Sequence, residues 1–213
     1  MLETVGRLTR IHTMTIDVDA IEEALRRLKM AIEGGRSTKY CLALWSRFIR
    51  LRDGQRCVIC YQDEGLSAHH IVRKSFMPEA QLQTGNGICL CGTCHKEPHQ
   101  AFNRRPDLNL PMDTEGGEQI ELLTAFYKAL LIDARSRNVL RDDFYNFTDQ
   151  LLQKFKLFQS IEPLLPFPGM RLEQAYLIWR QTSRGMLQAI FLANGFTLPH
   201  GCIQQGELTV FFD

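Results

Sequence analysis

The stretches that decide the fold are residues 57–60, Cys-Val-Ile-Cys, and residues 91–94, Cys-Gly-Thr-Cys. Each is a C-x-x-C pair, and thirty residues lie between the two pairs. Such a pair places two thiolates on one side of a tight turn, so two pairs can complete a tetrahedral sulfur site, which zinc usually occupies. The sequence therefore predicts a structural Zn²⁺ ion bound by Cys57, Cys60, Cys91 and Cys94.

The chain has seven cysteines, an odd number with clustered spacing. This pattern disfavours a disulfide framework and favours metal ligation in a reducing compartment. Cys89 lies two residues before Cys91, and on a strand both side chains would point the same way. We expect Cys89 to be a small apolar strand residue, although a metal site that uses it instead of Cys91 stays open. Cys41 and Cys202 are expected to be buried thiols.

Four of the six histidines fall in or beside the segment between the cysteine pairs. His69 and His70 precede a short apolar run that suits a strand, and residues 86–90 suggest a second strand. His95 and His99 follow at helical i, i+4 spacing, so they should share one helix face. Four imidazoles near two strands and one helix, on a fold stapled by zinc, favour a functional site over four unrelated surface histidines.

The segment from Trp45 to Asn103 resembles the HNH endonuclease family in its zinc-stapled C-x-x-C form. The likeness is carried by the paired histidines, by Asn86 before an apolar strand, and by the final C-H-x-x-x-H pattern. It covers a little over a quarter of the chain. The resemblance implies a ββα-metal fold and metal-dependent hydrolysis of phosphodiester bonds.

The resemblance also implies a role for each matching residue. His70 occupies the position of the general base, and Asn86 the position that braces the loop orienting that base. His69 and His95 match the ligands of the catalytic divalent metal, and His99 is a candidate third ligand. Three imidazoles without an obvious carboxylate favour a transition metal over Mg²⁺, but Mg²⁺, Mn²⁺, Ni²⁺ and Zn²⁺ all stay open.

The geometry of the histidine pair is a separate expectation. A metal ligand beside a base that holds water is a reason to place two histidines side by side. Adjacent side chains on a regular strand face opposite ways. We therefore expect the pair at a twisted or irregular start of a strand.

Charge is unevenly distributed along the chain. Residues 36–105 carry eleven Lys and Arg against five Asp and Glu, a net charge of +6, whereas residues 1–35 carry −1 and residues 106–213 carry −4. A basic segment of this kind indicates an anionic partner, and the resemblance makes double-stranded DNA the expected one. The candidate phosphate contacts are Arg47, Arg50, Arg73, Lys74 and Lys96.

The fold class is expected to be α+β. Apolar periodicity predicts helices at residues 19–33, 38–52, 118–137, 142–159 and 172–193, and the last residues suit a short strand. Asp19 and Glu22 are interpreted as a capping box of the first helix. The expected organisation is an N-terminal helical segment (1–35), a nuclease module with structural zinc (36–105), a linker rich in Pro and Gly (106–117) and a mainly helical accessory region (118–213).

The sequence therefore predicts a DNA endonuclease, interpreted as the nuclease component of a defence or restriction system. The alternative is a zinc-stapled module without catalysis that binds nucleic acid or protein. The C-terminal half, residues 106–213, is acidic with a net charge of −4, and its helical region is a candidate surface for a protein partner. No apolar run approaches the roughly 18 residues that a membrane span needs, and the first residues lack the apolar core of a signal peptide, so we expect a cytoplasmic protein with no membrane partner.

Overall fold

A computed structural model of the chain describes residues 17–101, 120–159, 161–181, 192–193, 195, 201–205 and 208–212. These residues form a mixed α and β architecture. The helices are α1 (Val18–Glu33), α2 (Thr38–Arg52), α3 (Gly92–Ala101), α4 (Ile120–Ser136), α5 (Asp149–Phe158) and α6 (Arg171–Arg180). The strands are β1 (Ser67–His70), β2 (Gly87–Leu90), β3 (Gly201–Gln205) and β4 (Leu208–Phe212), paired as β1 with β2 and β3 with β4.

The two N-terminal helices lie close to their predicted positions. Helix α1 starts earlier than expected because Asp17, not Asp19, is its N-cap: the Asp17 carboxylate accepts a hydrogen bond from the Ala20 amide at 2.9 Å. The predicted capping box was therefore misplaced by two residues. Ile32, which continues the apolar spacing of Ile21, Leu25 and Leu28 and is therefore predicted to face inward, is 42% exposed. Helix α2 has the predicted bounds, and Ser37 caps its first turn.

The small sheet of β1 and β2 is antiparallel, and it pairs Ser67 with Leu90 and His70 with Gly87. All four residues of β2 are buried, and both α2 and α3 contact both strands. Gly87 lets α2 approach this closely. A Cβ atom at position 87 would lie 2.5 Å from Ile49 Cδ1 and 2.6 Å from Trp45 Cζ2, so the sequence needs glycine there.

A buried ionic network joins the end of α2 to β2 and α4. The Arg52 guanidinium is fully buried, pairs with the Asp53 carboxylate at 2.7 Å and donates to the Gly87 carbonyl at 2.6 Å. Asp53 Oδ2 accepts a bond from the Cys89 amide at 2.8 Å. From the turn directly after α4, Arg137 Nη1 donates to the Arg52 carbonyl at 2.6 Å and also pairs with Asp133 of α4. Since buried charges persist only when they are paired, this network fixes α2, β2 and α4 relative to one another.

The C-terminal helices are shorter than the apolar periodicity predicted. Helix α5 starts only at Asp149, where Thr148 caps it, and residues 142–145 form a turn instead of its first part. The turn and the residues after it bury Phe144, Tyr145 and Phe147, so tertiary packing outweighs the helical spacing. Helix α6 ends at Arg180, and most of the rest of its predicted range lies outside the described residues.

A single cluster of buried side chains extends through the molecule. It takes Leu28 from α1, Trp45 from α2, Ile88 from β2, Tyr127 from α4 and Trp179 from α6. The domain boundaries stay a prediction. The predicted linker lies outside the described residues, and the hydrophobic core is continuous across the helices on its two sides.

Candidate metal centre and histidine site

Four cysteine thiols converge at one end of the small sheet. The Sγ atoms of Cys57, Cys60, Cys91 and Cys94 all lie within 4.8 Å of one another, and those of Cys60 and Cys91 are 3.5 Å apart. A tetrahedral zinc ion with Zn–S bonds of about 2.3 Å needs sulfur–sulfur separations of about 3.8 Å. The four thiols can therefore hold a structural metal such as zinc, as the sequence predicted.

Local backbone geometry forms the two halves of this cluster. Tyr61 adopts a left-handed φ of 63° just after the first pair, and its amide donates to the Cys57 carbonyl at 2.9 Å. The second pair starts at Cys91, directly before α3. A hydrogen bond from the Cys94 amide lowers the pKa of Cys91 to about 7. A thiolate is the metal-binding form of cysteine; this bond favours it at Cys91, whereas burial and the neighbouring thiols raise the pKa of Cys94.

The alternative ligand Cys89 is not part of the cluster. Its thiol is fully buried, and burial raises its pKa to about 12, which keeps the sulfur protonated. Its role as a small strand residue is thus confirmed. Cys41 is buried, as expected. Cys202 lies in β3, but its side chain lies outside the described residues.

The two adjacent histidines lie at the end of β1, in regular register with β2. The expectation of an irregular strand start is therefore wrong, and the alternation of side chains separates the two rings. His69 faces α3 and α4: its ring centroid lies 5.0 Å from that of His95, with the planes at 83°, and 5.7 Å from that of Phe126. His70 instead stacks on Trp45 of α2 at 4.2 Å, with an interplanar angle of 6°.

The His70 ring is held at its edge by the loop between the two strands. Its Nε2 atom lies 2.9 Å from the carbonyl oxygen of Gln81. Because a carbonyl only accepts, Nε2 carries the hydrogen and the lone pair of the neutral ring is on Nδ1. Burial lowers the pKa of His70; the bond to Gln81 raises it in part, and the charge of Lys74 lowers it further. The ring is therefore neutral at pH 7.

Asn86 closes the loop that carries Gln81. Its side chain is fully buried and forms a pair of bonds with Val72, accepting from the amide at 2.8 Å and donating to the carbonyl at 2.9 Å. It also donates to the Ala80 carbonyl at 3.1 Å and accepts from the Tyr127 hydroxyl at 3.3 Å. One amide side chain thus ties both ends of the loop together and connects it to α4.

Helix α3 contains both His95 and His99. His95 is half-buried, and its ring faces His69. The side chain of His99 lies outside the described residues, so its predicted role as a third ligand stays a prediction. Among the described side chains, the four cysteines are the one set of three or more ligand-type groups that lie close together.

The candidate phosphate contacts lie on three elements. Arg47 and Arg50 are on α2, Arg73 and Lys74 follow β1, and Lys96 is on α3. Arg47, Lys74 and Lys96 are exposed, whereas Arg50 and Arg73 are half-buried.

The surroundings of Lys96 carry charges of both signs. It lines an open cleft of about 620 Å³ that is also lined by Asp63 and Glu64, so an anion in that cleft would meet both signs of charge.

Sequence reasoning missed the residues that hold the histidines. The sequence patterns assign no role at the site to Trp45, Gln81, Phe126 or Tyr127. Helical spacing marks Trp45, Phe126 and Tyr127 as inward-facing. It does not indicate which side chain each one meets, and the Gln81 contact is made by the backbone.

Comparisons of the chain with protein-family models, with curated proteins and with solved structures find no match. No helix in the described part of the chain is long and apolar enough to cross a membrane.

Proposed function

We propose that the chain is an HNH-type endonuclease that hydrolyses phosphodiester bonds of DNA with a divalent metal. The observation that supports this best is the pairing of His69 on β1 with His95 on α3, beside a neutral His70 whose lone pair is on Nδ1. The cysteine cluster, which can hold a structural metal, includes Cys94 on the first turn of α3, so a bound ion would fix the helix that carries His95.

The facing rings of His69 and His95 suit a shared metal ion. The observed centroid distance is 5.0 Å. These two residues would hold the ion, since metal–nitrogen bonds of about 2.1 Å let two imidazoles share one metal at a ring separation of this size. His99 is the third proposed ligand. The bound ion would neutralise charge on the phosphate and on the departing 3′ oxygen.

The proposed chemistry of the protein is a single proton transfer. His70 Nδ1 takes a proton from a water molecule as the water oxygen forms a bond to phosphorus, and the bond from phosphorus to the 3′ oxygen breaks. The Gln81 carbonyl keeps hydrogen on Nε2, so that Nδ1 stays the acceptor. Asn86 holds the loop that presents this carbonyl.

DNA is the proposed substrate because the segment 36–105 carries a net charge of +6. Exposed cations of this segment, such as Arg47 on α2 and Lys74 after β1, are the proposed phosphate contacts. The helical region after residue 118 is proposed to dock a protein partner, as the nuclease component of a defence or restriction system would require.

A second candidate is a zinc-stapled module that binds nucleic acid or protein without cleaving it. The observation that favours it is the divergence of the two histidines: His69 faces α3 and α4, whereas His70 is stacked against α2. If a single phosphodiester cannot contact both an ion at His69 and the base His70, the chain cannot hydrolyse it.

Nicking of supercoiled plasmid separates the two functions. The zinc-loaded chain is assayed with Mg²⁺, Mn²⁺, Ni²⁺ or Zn²⁺, beside His70→Ala and the control His200→Ala, which alters a histidine outside the motif. We expect metal-dependent nicking that falls by at least about 100-fold in His70→Ala, with unchanged zinc content and unchanged nicking in the control. Nicking by His70→Ala at the wild-type rate would remove His70 as the base. If none of the four metals supports nicking, the binding module is the better function.

A further inference from the structure

The indole of Trp45 covers one face of the His70 ring. The two rings are nearly parallel, at 6°, and their centroids are 4.2 Å apart. Trp45 is 1% exposed, and its Nε1–H donates to the carbonyl of Gln83 at 3.1 Å. Two residues earlier in the same loop, the Gln81 carbonyl binds His70 Nε2. One side chain therefore contacts the histidine directly and also holds the loop that binds its edge.

We propose that Trp45 is a positioning residue that fixes the plane and the tautomer of His70. The plane follows from the stack, since rotation of the imidazole about its terminal torsion would lift it off the indole. The tautomer follows from the bond to Gln83, which keeps the neighbouring Gln81 carbonyl at the ring edge. This role rests on the proposed function, because it matters for hydrolysis only if His70 is the base.

The torsion that Trp45 restrains is a soft one. The last torsion of histidine is broad and roughly two-fold, so the ring is not fixed by its own rotamer preference. A flip by 180° would exchange nitrogen and carbon positions along the ring edge and remove the bond to Gln81. The stack on the indole holds the plane of the ring, and the bond to Gln81, which the flip removes, selects one of the two orientations within that plane.

Trp45 also packs closely against the strand partner of His70. A Cβ atom at Gly87 would lie 2.6 Å from Trp45 Cζ2, and Gly87 is the strand partner of His70. The indole thus occupies a slot between α2 and β2 that opens onto the histidine. A residue that only filled the core would need neither the parallel stack nor the bond to the loop.

The test compares Trp45→Leu and Trp45→Phe with Trp179→Phe. Trp179 is the second tryptophan of the chain; it is fully buried on α6 and its ring lies 5.2 Å from that of Phe155. Its substitution therefore controls for the loss of a large core ring. Nitrogen chemical shifts of the His70 ring report the tautomer of the zinc-loaded chain at a pH where the ring is neutral, and plasmid nicking gives kcat and KM.

We expect a single Nε2–H tautomer in the wild type and in Trp179→Phe, and a mixture in Trp45→Leu. Trp45→Phe keeps an aromatic face but loses the bond to Gln83, so it should give a smaller share of the second tautomer. It also carries the test if the leucine variant does not fold. We expect kcat to fall by about 10- to 100-fold in Trp45→Leu, the scale of a small misplacement of a reacting group, with KM near that of the wild type.

Two outcomes would overturn the positioning role. One is a mixed His70 tautomer in the wild type, and the other is a Trp45→Leu or Trp45→Phe variant with the wild-type tautomer and the kcat of Trp179→Phe. A different outcome separates the two proposals. If Trp45→Leu loses the single tautomer but no variant nicks DNA with any metal, Trp45 positions His70 as proposed and the nuclease function is refuted.

Discussion

Replacing Asn86 by alanine should remove a large part of the stability of the fold. The substitution deletes the side-chain bonds to the Val72 amide, the Val72 carbonyl and the Ala80 carbonyl. Each buried backbone group that loses its partner costs about 1–3 kcal/mol. Allowing for some relief by water in the space that the side chain leaves, we expect a loss of about 3–5 kcal/mol. That is a large share of the roughly 5–15 kcal/mol by which domains of this kind are stable.

Urea unfolding of the zinc-loaded chain measures this loss. With a slope of about 2 kcal/mol per molar, the midpoint should fall by about 1.5–2.5 M. Asn146→Ala is the matched control, because Asn146 is exposed and its side-chain amide donates to Gln83 Oε1 at 3.2 Å. Exposed substitutions of this kind stay within about 0.5 kcal/mol. Tyr127→Phe removes one hydrogen bond to Asn86, so its loss of stability should lie between the losses in Asn86→Ala and Asn146→Ala.

The comparison also tests the structural reasoning without any nuclease assay. A loss in Asn86→Ala no greater than that in Asn146→Ala would mean that the loop does not depend on this amide, and the account of how His70 is held would be wrong. A large loss that Tyr127→Phe fully reproduces would instead place the dependence on α4.

Three further outcomes are expected. Cys94→Ser should release zinc and unfold the chain, since structural zinc contributes folding free energy directly, whereas Cys89→Ser should keep its zinc; equal zinc loss in both would contradict the assignment. Gly87→Ala should cost about 1–3 kcal/mol by overpacking against Trp45, and a fully stable variant would show that the close approach is not needed. The rate of nicking should rise with pH and reach a plateau below pH 6.5, because burial lowers the pKa of His70 and a bound cation would lower it further. A plateau reached only above pH 7 would contradict this prediction.

The parts of the fold that the sequence predicts well are those set by short-range rules. The cysteine spacing predicts the thiol cluster because a single turn of backbone brings the two thiols of each C-x-x-C pair to the same side. Helix α2 has its predicted bounds because Ser37 caps it and its apolar spacing is regular. Cys89 could be assigned correctly because the x-x spacing of Cys91 and Cys94 makes the better metal-binding pair, although strand alternation places Cys89 on the same side as Cys91.

The parts that escape prediction depend on long-range contacts. The bond from Tyr127 to Asn86 joins residues that are 41 positions apart, and no local pattern specifies it. The turn at residues 142–145 was interpreted as helix because Phe144 and Phe147 have helical spacing. In the structure, Phe147 fills the space over Gly85, where a Cβ atom would lie 2.2 Å from its ring. The backbone carbonyl of Gln81 carries no sequence signal at all.

The adjacent histidines illustrate how one strand can give two identical side chains different properties. Alternation along β1 sends His69 toward His95 and sends His70 toward Trp45. No irregular strand is needed, because the difference comes from what each face of the sheet meets. A ring that faces another imidazole suits a shared cation, whereas a ring held by an indole and a carbonyl suits a fixed tautomer.

Helix α4, in the second half of the chain, contacts both the His69 side and the His70 side of the proposed site. Phe126 and Tyr127 are consecutive residues, yet the first lies against the ring of His69 and the second bonds to Asn86. A shift of α4 would therefore disturb the proposed metal ligand and the brace of the base loop together. Binding of a partner to the region after residue 118 could alter both parts of the site through these two side chains, without contact with the substrate. In the proposed enzyme, this helix is the physical route by which docking would affect hydrolysis.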